Sequence, residues 1–259
     1  MSDIAQEFER VLLPDGQVFL NMGYTNKKPW TATDVASEFR KHLELQNRIT
    51  WVKSVAIDNV THGQFKPINS DRFTSLTNEE VFHFTLSGNV KLNRKAAGVP
   101  FTCKENLKRF GHAEEKRCGG NTWYIPYKTV TSKKVHPAAF PVELPLRCLR
   151  LADVKTGVVM DPFVGSGTTL LAMEQYNEEN DAHLTGLGID ISEVYLKIAT
   201  PEKKSAQKKT PQKAGKADRL IVPGIDDTID LASHAAEFLD AHPTPGSFSG
   251  FISFFGRIR

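Results

Sequence analysis

The chain has 259 residues, with 33 Lys or Arg against 30 Asp or Glu and 40% apolar residues. That composition supports a sizeable core and excludes a low-complexity or strongly charged disordered chain. A net charge of +3 is too mild to name a partner, so the placement of the charge has to be read instead. No apolar run is long enough to span a membrane, and the first residues carry no secretory signal. Cys103, Cys118 and Cys148 lack CxxC spacing and fit a reduced, cytosolic setting better than a disulfide framework. Cys103, His112 and Cys118 lack the paired spacing of a zinc site, so no metal is expected.

In chain order, residues 3–13 predict a helix with Ile4, Phe8, Val11 and Leu12 on one face. Pro14, Asp15 and Gly16 make a turn into a buried strand at 17–22, QVFLNM. Thr31 or Thr33 is placed to cap a second helix with Val35, Phe39, His42 and Leu43 inward. Residues 49–57 read as the next strand, with Trp51 and Val52 in the core, and 62–77 as a polar loop. Residues 81–86 alternate: Phe82, Phe84 and Leu86 take one side, Val81, His83 and Thr85 the other. His83 reads as a sheet histidine rather than a catalyst.

The character changes over 91–135, which holds eleven Lys or Arg and three acids, interleaved with Phe101, Phe110, Trp123, Tyr124 and Tyr127. Basic side chains among aromatics suit a phosphate backbone and an exposed base. The candidates for DNA contact are Lys104, Lys108, Arg109, Lys116, Arg117, Trp123 and Lys128. An ordinary solvated insertion has the same composition.

Residues 158–169 read VVMDPFVGSGTT. A short apolar run suits a strand buried on both faces of a parallel sheet. It ends in Asp161, and a glycine turn then leads into helix formers. Gly165 and Gly167 remove the Cβ atoms that keep a ligand from the backbone. Leu170, Leu171 and Met173 are expected to face the sheet. A second strand, LTGLGID, ends in Asp190, 23 residues past Gly167, near the spacing of an acid that holds ribose hydroxyls. The turn is neither a Walker loop, since no Lys follows the last glycine, nor GxGxxG, since Leu170 stands at the third glycine. Open α/β sheets bind ligands at the carboxyl ends of their strands, beside such turns. A purely structural reading also holds: a tight turn, with Asp161 and Asp190 as caps.

DPFVGSGTT followed by GIDISEVYLKIA resembles the cofactor region of the amino-group DNA methyltransferases, which methylate adenine N6 or cytosine N4 with S-adenosylmethionine. HPAAFPVEL, at 136–144, resembles the segment preceding that turn in the permuted, β-type members, and RVLLPDGQVFLNMG resembles the helix–turn–strand after their catalytic motif. The resemblance covers roughly residues 3–200. It implies an α/β fold: a Rossmann-like S-adenosylmethionine-dependent methyltransferase sheet in permuted order, with a basic insertion. It implies a cofactor site of His136, Pro137, Phe140, Asp161, Phe163, Gly165, Ser166, Gly167, Thr168, Asp190 and Ile191. Asp190 would take the ribose and Ile191 would cover the adenine. Double-stranded DNA is the implied partner, in a prokaryotic or phage-type cytoplasm and beside a restriction enzyme in some members.

The family's catalytic tetrapeptide, Asp, Asn or Ser followed by Pro-Pro and an aromatic, is not among these residues, which contain no Pro-Pro pair. No catalytic residue is therefore assigned. In the β-type order the motif belongs upstream of the first helix, on a strand between those at 158–161 and 17–22. Its absence fits a truncated chain, one half of a split enzyme completed by a partner chain, or a non-catalytic DNA- or cofactor-binding remnant. Residues 1–200 are expected to form the methyltransferase domain, with 91–135 as its recognition insertion. Residues 201–217 read as a lysine-rich linker, and 218–259 as an extension of unknown role. Within that extension 220–222 suit an edge strand and 229–239 a helix.

Overall fold

The computed structural model describes residues 1–65, 68–102, 116–126, 140–199 and 220–221. His136, Pro137, Lys104, Lys108, Arg109, Lys128, Cys103, His112, the linker and the helix expected at 229–239 lie outside the described residues. Among the described residues no helix is long and apolar enough to cross a membrane.

The fold is α/β. Helix α1 (Ser2–Val11) buries Ile4, Ala5, Phe8 and Val11, as the periodicity predicts. Strand β1 (Gln17–Met22) is buried along its whole length. Helix α2 (Thr31–Phe39) starts ahead of the expected threonine cap: Trp30 is the N-cap, and the Thr31 hydroxyl donates back to the Lys28 carbonyl at 3.0 Å. Val35, Phe39 and Leu43 are buried as expected, but His42 is not inward. It lies past the helix end, where its Nδ1 is 3.0 Å from Glu9 Oε2.

The strand expected at 49–57 is two strands. β2 (Glu44–Val52) begins earlier, and β3 (Val55–Ile57) turns back into β4 (Val60–His62). Asp58 and Asn59, both at positive φ, make the two-residue turn that suits a tight hairpin. A register shift between Leu45 and Asn47 leaves Gln46 to bond elsewhere. Its Oε1 accepts from Thr85 Oγ1 and Val90 N, and its Nε2 donates to Val90 O. β5 (Asn78–Thr85) lies between β1 and β2, antiparallel to both.

β6 (Val99–Pro100) and β7 (Lys116–Arg117) form a separate hairpin, and β8 (Thr122–Tyr124) adds parallel to β2. Helix α3 (Glu143–Ala152) accepts Pro145 because it falls in the first turn, where an N–H has no intrahelical partner. β9 (Thr156–Asp161), α4 (Thr168–Asn180) and β10 (His183–Gly188) form a β–α–β unit with β9 and β10 parallel. The short helix α5 (Glu193–Ala199) follows, and β11 (Leu220–Ile221) pairs antiparallel with β10, at the edge strand expected there.

These strands form a four-stranded sheet, β1-β5-β2-β8, and a three-stranded sheet, β11-β10-β9. No backbone ladder joins β1 to β9 among the described residues. The sheets nevertheless share their cores. Val18, Leu20 and Met22 of β1 cluster with Met160 and Leu187, and Phe19 clusters with Val159, Met173 and Tyr176. Gln17 and Thr156, which open β1 and β9, line one cleft of about 660 Å³, and Gln17 Nε2 donates to Ala152 O. The two strands therefore start at a common edge, and the turns that leave them, 23–30 and 162–167, emerge at the opposite one.

Candidate functional site

The turn after β9 is held from two sides. Asp161 is 1% exposed. Its Oδ1 accepts from Phe163 N at 3.0 Å and its Oδ2 from Thr169 Oγ1 at 2.5 Å. Asp190 Oδ2 accepts from Gly165 N and its Oδ1 from Ser192 N, both at 2.8 Å. Backbone bonds complete the frame: Val164 N donates to Ile189 O, and Ile189 N to Asp161 O, each at 2.9 Å. Gly165 at φ 51° and Gly167 at φ 85° take the left-handed conformation that lets residues 162–167 double back into α4.

Two further glycines bring the turn and α4 close to the sheet. A Cβ at Gly188 would sit 2.8 Å from Val164 Cγ2, and one at Gly186 2.7 Å from Leu170 Cδ2. The buried face of α4 is Thr169, Leu170, Ala172, Met173 and Tyr176. Leu171, expected to face the sheet, is 51% exposed, one helical step off that face.

The structure thus brings Asp161, Phe163, Gly165, Ser166, Gly167, Thr168, Asp190 and Ile191 to one edge. Asp161 is enclosed and spends both oxygens within the turn. Asp190 is half-buried and keeps a lone pair on each oxygen. Ile191 is 53% exposed beside it. Phe140 lines a small cavity with Phe19, Asn21, Val81 and Leu144, packed against β1. Thr169 was not among the expected site residues. Its signal is the second threonine of GSGTT, which the turn returns to the strand-end acid.

Of the DNA candidates within the described residues, Trp123 needs correction. It is 4% exposed, on β8 against β2, with its Nε1 donating to Gly120 O and the Arg147 guanidinium 5.5 Å above its ring. It is a core residue, enclosed from any base. Lys116 and Arg117 are exposed on β7, but Lys116 lines a cavity with Glu179 and Asn180, the last residues of α4. A helix of 13 residues is roughly 20 Å long, so that hairpin lies a helix length from the glycine turn.

His83 is fully buried and stacks on Phe19, ring centroids 4.5 Å apart. Its Nδ1 is 2.9 Å from Asn47 Nδ2, and burial lowers its pKa to about 4. The ring is neutral and structural, and its Nε2 has no partner among the described residues. Burial also raises the Cys148 thiol far above its ordinary pKa, which makes it an inert core residue. Among the described residues no group of three or more His, Cys, Asp or Glu is placed to hold a metal.

A tight glycine turn framed by two acids at the carboxyl ends of parallel strands has the form in which open α/β sheets take ligands. Residues 1–201 match the family described as DNA methylase, of the N6/N4 type, and the chain belongs to that family. It is 27% identical over 187 residues to the type II methyltransferase M.MjaI of Methanocaldococcus jannaschii, covering 64% of this chain and 56% of that one. It is 26% identical over 203 residues to M.HpaI of Haemophilus parainfluenzae, covering 75% and 55%. A shorter match, 33% over 103 residues, is to M.ScaI of Streptomyces caespitosus, covering 36% and 32%. The chain thus spans between a third and just over half of these relatives. Among solved structures, a complex of M1.HpyAVI with SAM has a TM-score of 0.49 at 17% identity, covering 77% of this chain and 80% of that one. The cytosine-N4-specific PvuII DNA methyltransferase has a TM-score of 0.48 at 14% identity, covering 74% and 66%.

Proposed function

We propose that the chain is the cofactor-binding and DNA-facing part of a DNA amino-methyltransferase in β-type order, acting on adenine N6 or cytosine N4. The observation that carries this reading is the turn framed by Asp161 and Asp190 in a chain of the DNA methylase family. The residues fit S-adenosylmethionine. Asp190 has acceptor capacity left for ribose hydroxyls, Ile191 offers an exposed apolar side chain for a purine, and Gly165 puts no Cβ between the turn and the methionine end, whereas Gly167 is packed against Ala199. Asp161 acts through the turn it shapes. When bound, S-adenosylmethionine supplies the methyl group that the base amine attacks. The family motif would hold that amine in line, on a base that has left the duplex.

The tetrapeptide is absent from these 259 residues. Catalysis on this reading needs it from outside them, upstream in the same polypeptide or on a partner chain. The inner edges of the two sheets favour a place for its strand. Among the described residues β1 and β9 each have one paired neighbour, and Gln17 Oε1 and Asn21 Oδ1 on β1 are buried without a partner. Such unmet groups are costly unless another element reaches them. On this reading the segment 91–135 contacts DNA through Lys104, Lys108, Arg109, Lys116, Arg117 and Lys128. The test is calorimetric titration with S-adenosylmethionine, followed by methyl transfer to unmethylated duplex once the motif strand is supplied. Transfer to RNA or protein but not to DNA would overturn the assignment.

A further inference from the structure

The segment between β1 and α2 reads GYTNKKPW and leaves β1 at the edge where the glycine turn leaves β9. Thr25 and Lys28 close a tight bridge: Lys28 N donates to Thr25 O at 2.9 Å and to Thr25 Oγ1 at 3.1 Å. That turn pushes Lys27, Lys28, Pro29 and Trp30 outward, and all four are exposed. Trp30 is 69% exposed, whereas Trp51 is 1% and Trp123 4% exposed. Neither lysine forms an ion pair among the described residues, and no acid stands between Tyr24 and Thr33.

A large aromatic left in water on a hydrogen-bonded turn, beside two ammonium groups with no acid partner among the described residues, contributes nothing to the core. The combination fits an anionic polymer with flat groups to stack on. We propose that residues 25–30 form a DNA-contact element on the cofactor edge. In it Lys27 and Lys28 take phosphates of the duplex, and Trp30 covers a base or sugar beside the site of transfer. This rests on the reading of the chain as a DNA methyltransferase. It adds a contact on the cofactor edge, whereas Lys116 and Arg117 of the basic segment, on β7, lie toward the far end of α4.

The test is a titration of the full 259-residue chain with a mixed-sequence duplex at several salt concentrations. Exchanging Lys27 and Lys28 for Gln should flatten the slope of log affinity against log salt by about 1.8, since each phosphate contact contributes about 0.9. Trp30→Ala should weaken binding by roughly tenfold, as loss of one stacked aromatic does, and Trp30→Phe should restore most of it. A second readout needs no substitution: acrylamide quenching of the tryptophan emission, to which Trp30 alone of the three tryptophans is open, should fall when duplex is bound. Duplex binding with an unchanged slope and undiminished quenching would overturn this proposal alone. Failure of the unaltered chain to bind duplex would overturn it together with the DNA assignment.

Discussion

The Gly165 amide donates to Asp190 Oδ2 across 2.8 Å, which ties the turn after β9 to the end of β10. The same carboxylate holds Ser192 N, so one side chain sets both the glycine turn and the entry to α5. Asp190→Ala should therefore free two backbone donors and cost about 1–3 kcal/mol of local order. S-adenosylmethionine affinity should fall at least tenfold by calorimetry, with Asp190→Asn in between. Unchanged affinity in Asp190→Ala would refute the role assigned to it.

Thr169 and Asp161 form the buried counterpart of that tie. Thr169→Val keeps the shape and removes the hydroxyl, which leaves a buried carboxylate with one donor fewer. A hydrogen bond to a charged group is worth about 1.5–3 kcal/mol, so urea unfolding should show a loss in that range. Thr169→Ser should lose less. A Thr169→Val protein as stable as the unaltered one would mean that the carboxylate is satisfied elsewhere.

Gly188→Ala places a methyl group 2.8 Å from Val164 Cγ2, against the turn itself. Overpacking of this kind costs about 1–3 kcal/mol. The loss should shrink in a Gly188→Ala, Val164→Ala double variant, because the second change opens the space the first one fills. Independent, additive effects in the thermal midpoints of the four proteins would contradict that coupling.

His83 makes stability depend on acid. Its folded-state pKa is lowered from 6.5 to about 4 by burial. The unfolded chain therefore takes up a proton as pH falls below about 6.5, while the folded protein holds the ring neutral. The contribution is intact above that value, is lost as pH falls through the window, and the loss is complete near the folded-state pKa. A shift of this size corresponds to about 3 kcal/mol over the window. His83→Phe, which keeps the stack on Phe19, should flatten the pH dependence of urea stability there. An unchanged slope would place the proton uptake on another group.

What the sequence makes legible is local. The strand, glycine turn and helix at 156–180 follow from apolar run, φ requirement and helix formers within one short window, and the meeting of Asp161 and Asp190 at that turn follows with them. The sheet of β1, β5, β2 and β8 is less legible. β2 starts in polar residues because Gln46 leaves the ladder and bonds Thr85 and Val90, and no periodicity announces that. Trp123 reads as an aromatic among bases because its burial comes from β2, far away in the chain. Lys27, Lys28 and Trp30 stand out only once the turn at Thr25 and Lys28 shows them in water. Among the described residues β1 and β9 share no ladder, and no local pattern in the sequence announces that gap.

The most direct test of the central claim is transfer of a tritiated methyl group from S-adenosylmethionine to unmethylated duplex DNA. It should be run on the chain alone and on the chain supplied with a strand carrying the catalytic tetrapeptide. Both should bind the cofactor, transfer should occur only when the motif is present, and the product should lie at adenine N6 or cytosine N4. Transfer by the 259 residues alone would contradict the placement of the catalytic motif outside them. Failure of both to bind S-adenosylmethionine would contradict the site itself.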